Sequence, residues 1–467
     1  MAVDTQHVDY TAHIDTWKKC RDVSSGQEAV HAAGDVYLPR LGGQDPDDYE
    51  AYKKRAGFLN ATGRTVDGLS GMVFRKQPSV ENPEGLAEFM EDVDQAGMSF
   101  LGLAEQTLEE VLKVGRYGVL VDYPQVEGEQ LTQAQAQARG LRPFIKTYRA
   151  ESIIDWRVDQ VENRATLVQV RLLETVEEPA DEFADDLVEQ IRVLELTDEG
   201  YQQRVFRQDE KGQWVLHELV VPLMGSVPLD RIPFHFVGPR DNTWSVSKPP
   251  LLDLVNVNLQ HYQLNADYRH GLHFVALPTP YGTGLRQEDV DAGNFAAIGP
   301  TSFWASTSSE SSFGMLEYQG AGLGSLKEAL DDLKHDMAVL GARMLEAEKR
   351  QVEAAETAGI HRAGEHGVLA SMAMAISDVM TKVLEDVRDW MGVTGDVQVE
   401  LNRDYVPTPL TAQELTALIS AVQSGELSRE AFFYNLKQGE RYPDGWTFDD
   451  EQEAITQDDA LGLLGRD

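Results

Sequence analysis

The chain has 467 residues, 42% hydrophobic and 25% charged, which excludes wholesale disorder and implies two or more sub-domains. Asp and Glu number 78 against 41 Lys and Arg, a net charge of −37, which excludes a chain that grips nucleic acid with a uniformly basic surface. A lone cysteine, Cys20, excludes an intramolecular disulfide, and no apolar run approaches the roughly 20 residues that a membrane span needs.

The N-terminal MAVDTQHVDY lacks the basic and apolar regions of a signal peptide, so a soluble chain made in the cytosol, with no membrane partner, is expected. Residues 46–76 read as helix. DPDD supplies N-cap candidates, Tyr49, Tyr52, Ala56 and Leu59 recur at helical spacing, and Pro78 sets the limit. A second helical region covers 85–114, with Phe100, Leu103, Leu108, Val111 and Leu112 as apolar positions, and ends at Gly115. GRYGVLVDYP then reads as a buried strand from Tyr117 to Tyr123.

Residues 125–140 are polar and Gln/Ala-rich, a connector or short helix. A β-rich block follows, with strands at 144–148, 165–174, 190–196, 201–208 and 214–221. From Glu174 to Glu189 there are eight acids and no base, so a solvated loop is expected between two strands of a meander. RIPFHFVGPRDNTW (231–244) reads as a Pro-rich, aromatic loop.

Helix resumes after Pro249–Pro250, over 251–270, with Leu251, Val255, Leu259 and Tyr262 on one side. Its other positions are rich in amides: Asn256, Asn258, Gln260, Gln263 and Asn265. Residues 275–323 are rich in Gly, Ser, Thr and Pro and read as small strands and loops. Ser325 and Glu328 form a capping box for the clearest helix. Leu326, Leu330, Leu333, Met337, Leu340 and Met344 follow at alternating spacings of four and three, a heptad seam expected to pack along a neighbouring helix, in this chain or another subunit. EAEKRQVEAAETAG (346–359), with four glutamates and one large apolar residue, Val352, interrupts the apolar pattern. A long helix then runs to Met391, and the tail carries short helices at 411–423 and 428–438 around Gly425 before an acidic, frayed end.

No motif supplies a catalytic constellation. GAGLGS (320–325) is neither a Rossmann nor a P-loop pattern and reads as a flexible approach to the following helix. HRAGEH sets His361, Glu365 and His366 one residue off the spacing of zinc hydrolase helices. There is no CxxC pair and no G-x-S-x-G elbow. A non-enzyme without cofactor or metal is therefore expected; a metal-dependent hydrolase-like protein using His361, Glu365 and His366, or another oligomeric structural protein, stands as the alternative.

Several stretches, in this order, resemble the portal proteins of tailed bacteriophages, the head-to-tail connectors. They are YKKRAGFLNATGRTVDGLSGMVFRKQP (52–78), GRYGVLVDYP (115–124), IKTYRAESIIDWR (145–157), IPFHFVGPRDN (232–242), ETAG (356–359) and WMG (390–392). The resemblance covers most of residues 35–392. It implies an α+β, portal-like fold: a mixed α/β wing (1–248), a first stem helix (249–274), a small β clip (275–323) and a second stem helix (324–346). A tunnel loop (347–360), a long wing helix (361–392) and a helical crown (393–467) would complete it.

It also implies a homo-oligomeric ring of about twelve copies with closed cyclic symmetry, at the portal vertex of a capsid in the virion. The implied partners are double-stranded DNA in the channel, the terminase large subunit, the head-tail adaptor, and the major capsid and scaffolding proteins. Set in that order, Glu348, Lys349, Arg350, Gln351, Glu353 and Glu356 fall in the tunnel loop. Lys327, Lys334, His335 and Arg343 are candidates for sparse, salt-screened phosphate contacts from the second stem helix. The heptad stripe would pack stem against stem.

Overall fold

The computed structural model describes residues 2–40, 42–124, 135, 139, 141–181, 183–224, 227–276, 279–291, 306, 308–316, 320, 322–342, 367–405, 412–438, 441–442 and 446–460. The chain divides into a larger unit (Met1–Arg21, Arg64–Leu252, Ala342–Asp467) and a smaller one (Asp22–Gly63, Asp253–Gly341).

The first helix, α1 (Val8–Ser25), was not evident from the sequence, although it buries Trp17, Cys20 and Val23 completely. After α2 (Gln27–Ala32), the helix expected over 46–76 is two helices, α3 (Pro46–Arg55) and α4 (Ala61–Val73). Asp45 caps α3 through the Asp47 amide, with Pro46 in the first turn. The break has its own cap, because Asn60 Oδ1 accepts from the Gly63 amide at 2.9 Å.

Strand β1 (Ser79–Glu81) and helix α5 (Ala87–Glu91) come next. Asp92 and Asp94 then tie the amides of Gly97, Ala96 and Met98 into a turn, and Ser99 caps α6 (Phe100–Val114). The region 85–114 is thus also broken where short polar side chains capture backbone amides. Gly115 ends α6 with φ +76; a Cβ there would lie 3.1 Å from Pro249 Cα, so both conformation and space call for glycine.

In the larger unit β2 (Tyr117–Asp122) is fully buried and pairs antiparallel with β3 (Phe144–Arg149). A five-stranded antiparallel sheet follows in simple sequence order: β4 (Ile153–Val161), β5 (Arg164–Pro179), β6 (Asp185–Thr197), β7 (Gly200–Gln208) and β8 (Trp214–Val220). Strand β4 was not evident from the sequence. The acidic run is not a loop but the arms of the β5–β6 hairpin, paired from Glu174↔Gln190 to Pro179↔Asp185. Its acids find bases on other strands: Glu174 accepts from Arg192 at 2.8 Å and Glu178 from Arg207 at 2.5 Å. A reading confined to neighbours in sequence contains no such bases.

Short strands β9 (Leu223–Met224) and β10 (Val227–Pro228) pair with each other. The expected aromatic loop contains β11 (Phe234–Val237), which joins β2 on its other edge. Phe234 and Phe236 enter a core with Trp156, Tyr148, Ile191 and Val193 between the two sheets. Their alternation is the period of a strand.

The smaller unit continues with α7 (Leu252–Ala276), β12 (Thr279–Thr283), the short helix α8 (Gln287–Asp291), β13 (Ser312–Leu316) and α9 (Leu323–Ala342). Strands β12 and β13 form a two-stranded antiparallel sheet. The capping box at Ser325 is not used. Helix α9 starts earlier, with the Leu323 amide on Gly320 O and the Leu326 amide on Gly322 O, so Ser325 lies inside the first turn.

Back in the larger unit, α10 (Val368–Met391) buries twelve residues, among them Met372, Ile376, Val379, Val383 and Val387. It organises the chain after it: Ser377 Oγ and Thr381 Oγ1 accept from the amides of Leu401 and Val399 at 3.0 Å, which holds β14 (Gln398–Glu400) on β1. Helices α11 (Ala412–Ser424) and α12 (Arg429–Gln438) lie where expected. The acidic end is helical rather than frayed over α13 (Phe448–Ala460). Thr447 and Asp450 cap it reciprocally, and Phe448 packs on Phe433 with ring centroids 5.7 Å apart.

Candidate channel segment

The candidate segment is the succession α7, β12–β13 and α9, and its geometry starts from the amides of α7. Asn258 is buried; its Oδ1 accepts from the Thr62 amide at 3.1 Å and hydroxyl at 3.0 Å, and its Nδ2 donates to Leu59 O at 2.8 Å. Asn265 donates to Gly57 O at 2.5 Å and Gln263 to Tyr37 O at 2.9 Å. These side chains satisfy backbone groups between Tyr37 and Thr62. The sequence contained the amides but not their partners, which lie about two hundred positions away.

Helix α7 approaches α9 closely where it has no side chain: a Cβ on Gly271 would sit 2.8 Å from Leu323 Cδ2. His261 on α7 is 4% exposed, and neither ring nitrogen has a hydrogen-bond partner. Burial lowers its pKa; Lys334 on α9 acts in the same direction and Asp331 opposes.

Along α9 the heptad stripe is the inward face. Leu330 and Met337 are buried at 5% and 4% exposure, and Leu326, Leu333 and Leu340 are half-buried. Lys327, Lys334 and His335 are exposed, and Lys334 pairs with Asp331 at 3.0 Å. Glu328, Asp331, Asp332 and Asp336 share this exposed side, so its few cations stand among more numerous carboxylates. Such a surface offers phosphate only weak, screened contacts. Arg343, Met344 and the six tunnel-loop candidates, Glu348, Lys349, Arg350, Gln351, Glu353 and Glu356, lie outside the described residues, as do His361, Glu365 and His366.

In the larger unit a cleft of about 670 Å³ opens over the five-stranded sheet, lined by Asp4, Arg171, Arg204, Phe206 and Trp214 among others. Its guanidinium groups are already paired, Arg171 with Asp155 at 3.2 Å and Arg204 with Glu195 at 2.8 Å. Among the described residues no group of three or more His, Cys, Asp or Glu could hold a metal ion, and no helix is long and apolar enough to cross a membrane.

The chain is a mixed α+β protein whose α7–α10 region matches a known family model. Residues 250–391 match a family described as a domain of unknown function, DUF4055. No curated protein matches the chain. It is similar to chains of gene transfer agent (GTA) particles. For the virion of the native particle the TM-score is 0.40, with 13% identity over 87% of this chain and 96% of that one. For the neck of the empty particle with C6 symmetry it is 0.42, with 12% identity over 89% and 98%. For the neck of the native particle with C12 symmetry it is 0.40, with 12% identity over 88% and 98%.

Proposed function

We propose that this protein is a virion structural protein of the head-tail junction, a portal. It assembles as a ring at one capsid vertex, passes double-stranded DNA during packaging and ejection, and docks the terminase large subunit and the head-tail adaptor. It holds no catalytic centre of its own. The observation that carries this reading is the order of elements: a long helix, a small two-stranded antiparallel sheet, a second helix and then a long apolar helix, over Leu252–Met391. The portal family resembled by the sequence runs in the same order, as stem, clip, stem and wing helix. The exposed side of α9 supports it further, since sparse bases among acids suit DNA that must slide rather than stay bound.

Negative-stain electron microscopy of the purified full chain tests the reading. Rings with a central channel are expected, with about twelve subunits in the virion form. A monodisperse monomer at every salt concentration would sink it.

A further inference from the structure

The smaller unit carries two sets of charges that form no ion pair with any described residue. The first is basic. Lys54 and Arg55 end α3, and the Arg269 guanidinium on α7 lies against Gly57, where a Cβ would sit 3.1 Å from Cζ. Tyr52 and His270 stack edge to face at 5.1 Å beside them. Burial lowers the His270 pKa, and Arg55 and His273 lower it further, while Asp267 and Asp48 oppose them.

Two of the nearby carboxylates already have partners. Glu50 pairs with Lys53 at 2.9 Å, and Asp267 accepts from the Tyr52 hydroxyl at 2.6 Å. Lys54, Arg55 and Arg269 make no ion pair with any described residue, and Arg55 Nε is buried without a hydrogen-bond partner. In a chain with 78 acids and 41 bases, three neighbouring bases that form no ion pair with any described residue are the exception.

The second set is acidic. Glu328, Asp332 and Asp336 are exposed on α9 and make no ion pair with any described residue. At 100° per residue they lie opposite Leu330 and Met337, in steps of about 6 Å along the axis. Asp331, one position away, is already held by Lys334 at 3.0 Å.

We propose that these sets meet across a subunit boundary: the Lys54, Arg55 and Arg269 cluster of one copy receives the Glu328, Asp332 and Asp336 ridge of the next. The inference rests on the ring reading above and deepens it by naming the two surfaces. A head-to-tail contact needs two different, complementary patches on every copy, and repetition of that contact closes a ring. Both patches are present on this unit, opposite in sign and equal in number. A nucleic-acid track would answer the bases alone and would be repelled by the ridge. A neighbouring copy answers both, and opposite patches also steer copies that otherwise repel each other at −37 apiece.

Charge reversal in the full chain tests this. Arg269→Glu and Asp332→Arg should each lower the ring fraction about tenfold or more at fixed concentration, by sedimentation and negative stain. The double variant carrying both changes in one chain should recover wild-type assembly to within about threefold. Lys54→Glu with Asp336→Arg repeats the design at a second pair, and circular dichroism establishes that each variant is folded. Single variants that assemble like wild type, or a double variant without recovery at both pairs, overturn the proposal. So does an Arg269→Glu ring that assembles normally but loses binding to a short duplex DNA, which would make the cluster a nucleic-acid contact. If the wild-type chain forms no ring at all, it is the ring reading that fails.

Discussion

Asp386 shows how one side chain can join distant parts of a chain. It is 7% exposed on α10 and accepts from His235 Nε2 at 2.7 Å and from Arg231, which ties the long helix to β11 and the loop before it. Burial raises its pKa, but the bonds from His235 and Arg231 outweigh burial and hold the carboxyl below its ordinary range. A folded pKa below the unfolded value of about 3.9 contributes stability that is present above pH 4 and lost as pH falls through the folded value. Asp386→Asn should therefore cost about 2 kcal/mol near pH 7, the low end for a buried partner because Arg231 is half exposed. Denaturant titrations at pH 7 and pH 3 check this: the gap between variant and wild type should narrow at pH 3, and an equal gap would contradict the linkage. Arg116 is a second such residue, held between the rings of Trp156 and Phe236 at 4.1 and 4.4 Å. Neither cluster was legible in the sequence, because the members stand up to about 150 positions apart and no local pattern joins them.

At the scale of elements, the legible features were those whose signal is periodic and local. The stripe on α9 and the apolar face of α10 each repeat within one segment and form the inward faces of their helices, and the apolar run of β2 is buried along its whole length. Leu330→Ala should cost about 2–5 kcal/mol in chemical denaturation, since the side chain is buried within the chain itself. Leu333 is only half-buried, and a seam between subunits predicts a different outcome there. Leu333→Asp should leave a folded helical spectrum but no rings under negative stain, and normal rings would refute the seam. Gly115→Ala should destabilise by about 1–3 kcal/mol in thermal unfolding, because φ is +76 and Pro249 occupies the space. Breaks were less legible than helices. Asn60 and the Asp92–Asp94 pair end helical patterns through side-chain bonds to the backbone, and such caps are common residue types without a periodic signature.

For the whole molecule, charge is the property that composition states most directly. A net charge of −37 predicts that the purified protein gives no gel shift with duplex DNA at about 10 μM protein in physiological salt, where ordinary non-specific binders have Kd values of about 10⁻⁴–10⁻⁶ M. A clear shift under those conditions would contradict passage without grip. The acidic excess is not spread evenly, however. The β5–β6 hairpin neutralises part of it with Arg192 and Arg207, and α9 leaves part of it exposed, with no ion pair to Glu328, Asp332 or Asp336 among the described residues.

By itself the sequence determined the α+β class, the heptad face of α9, the strands with strong apolar character and the order of elements from α7 to α10. Each depends on spacing within a few residues, and backbone geometry converts that spacing directly into a face. Only the tertiary structure decided that the acidic run is a hairpin, that an aromatic loop supplies the third strand of a sheet, and that the amides of α7 hold a segment some two hundred positions earlier. It also decided which charges find partners. A carboxylate and a guanidinium separated by tens of residues attract only when the fold brings them within a few ångströms, and that distance is a property of packing rather than of pattern.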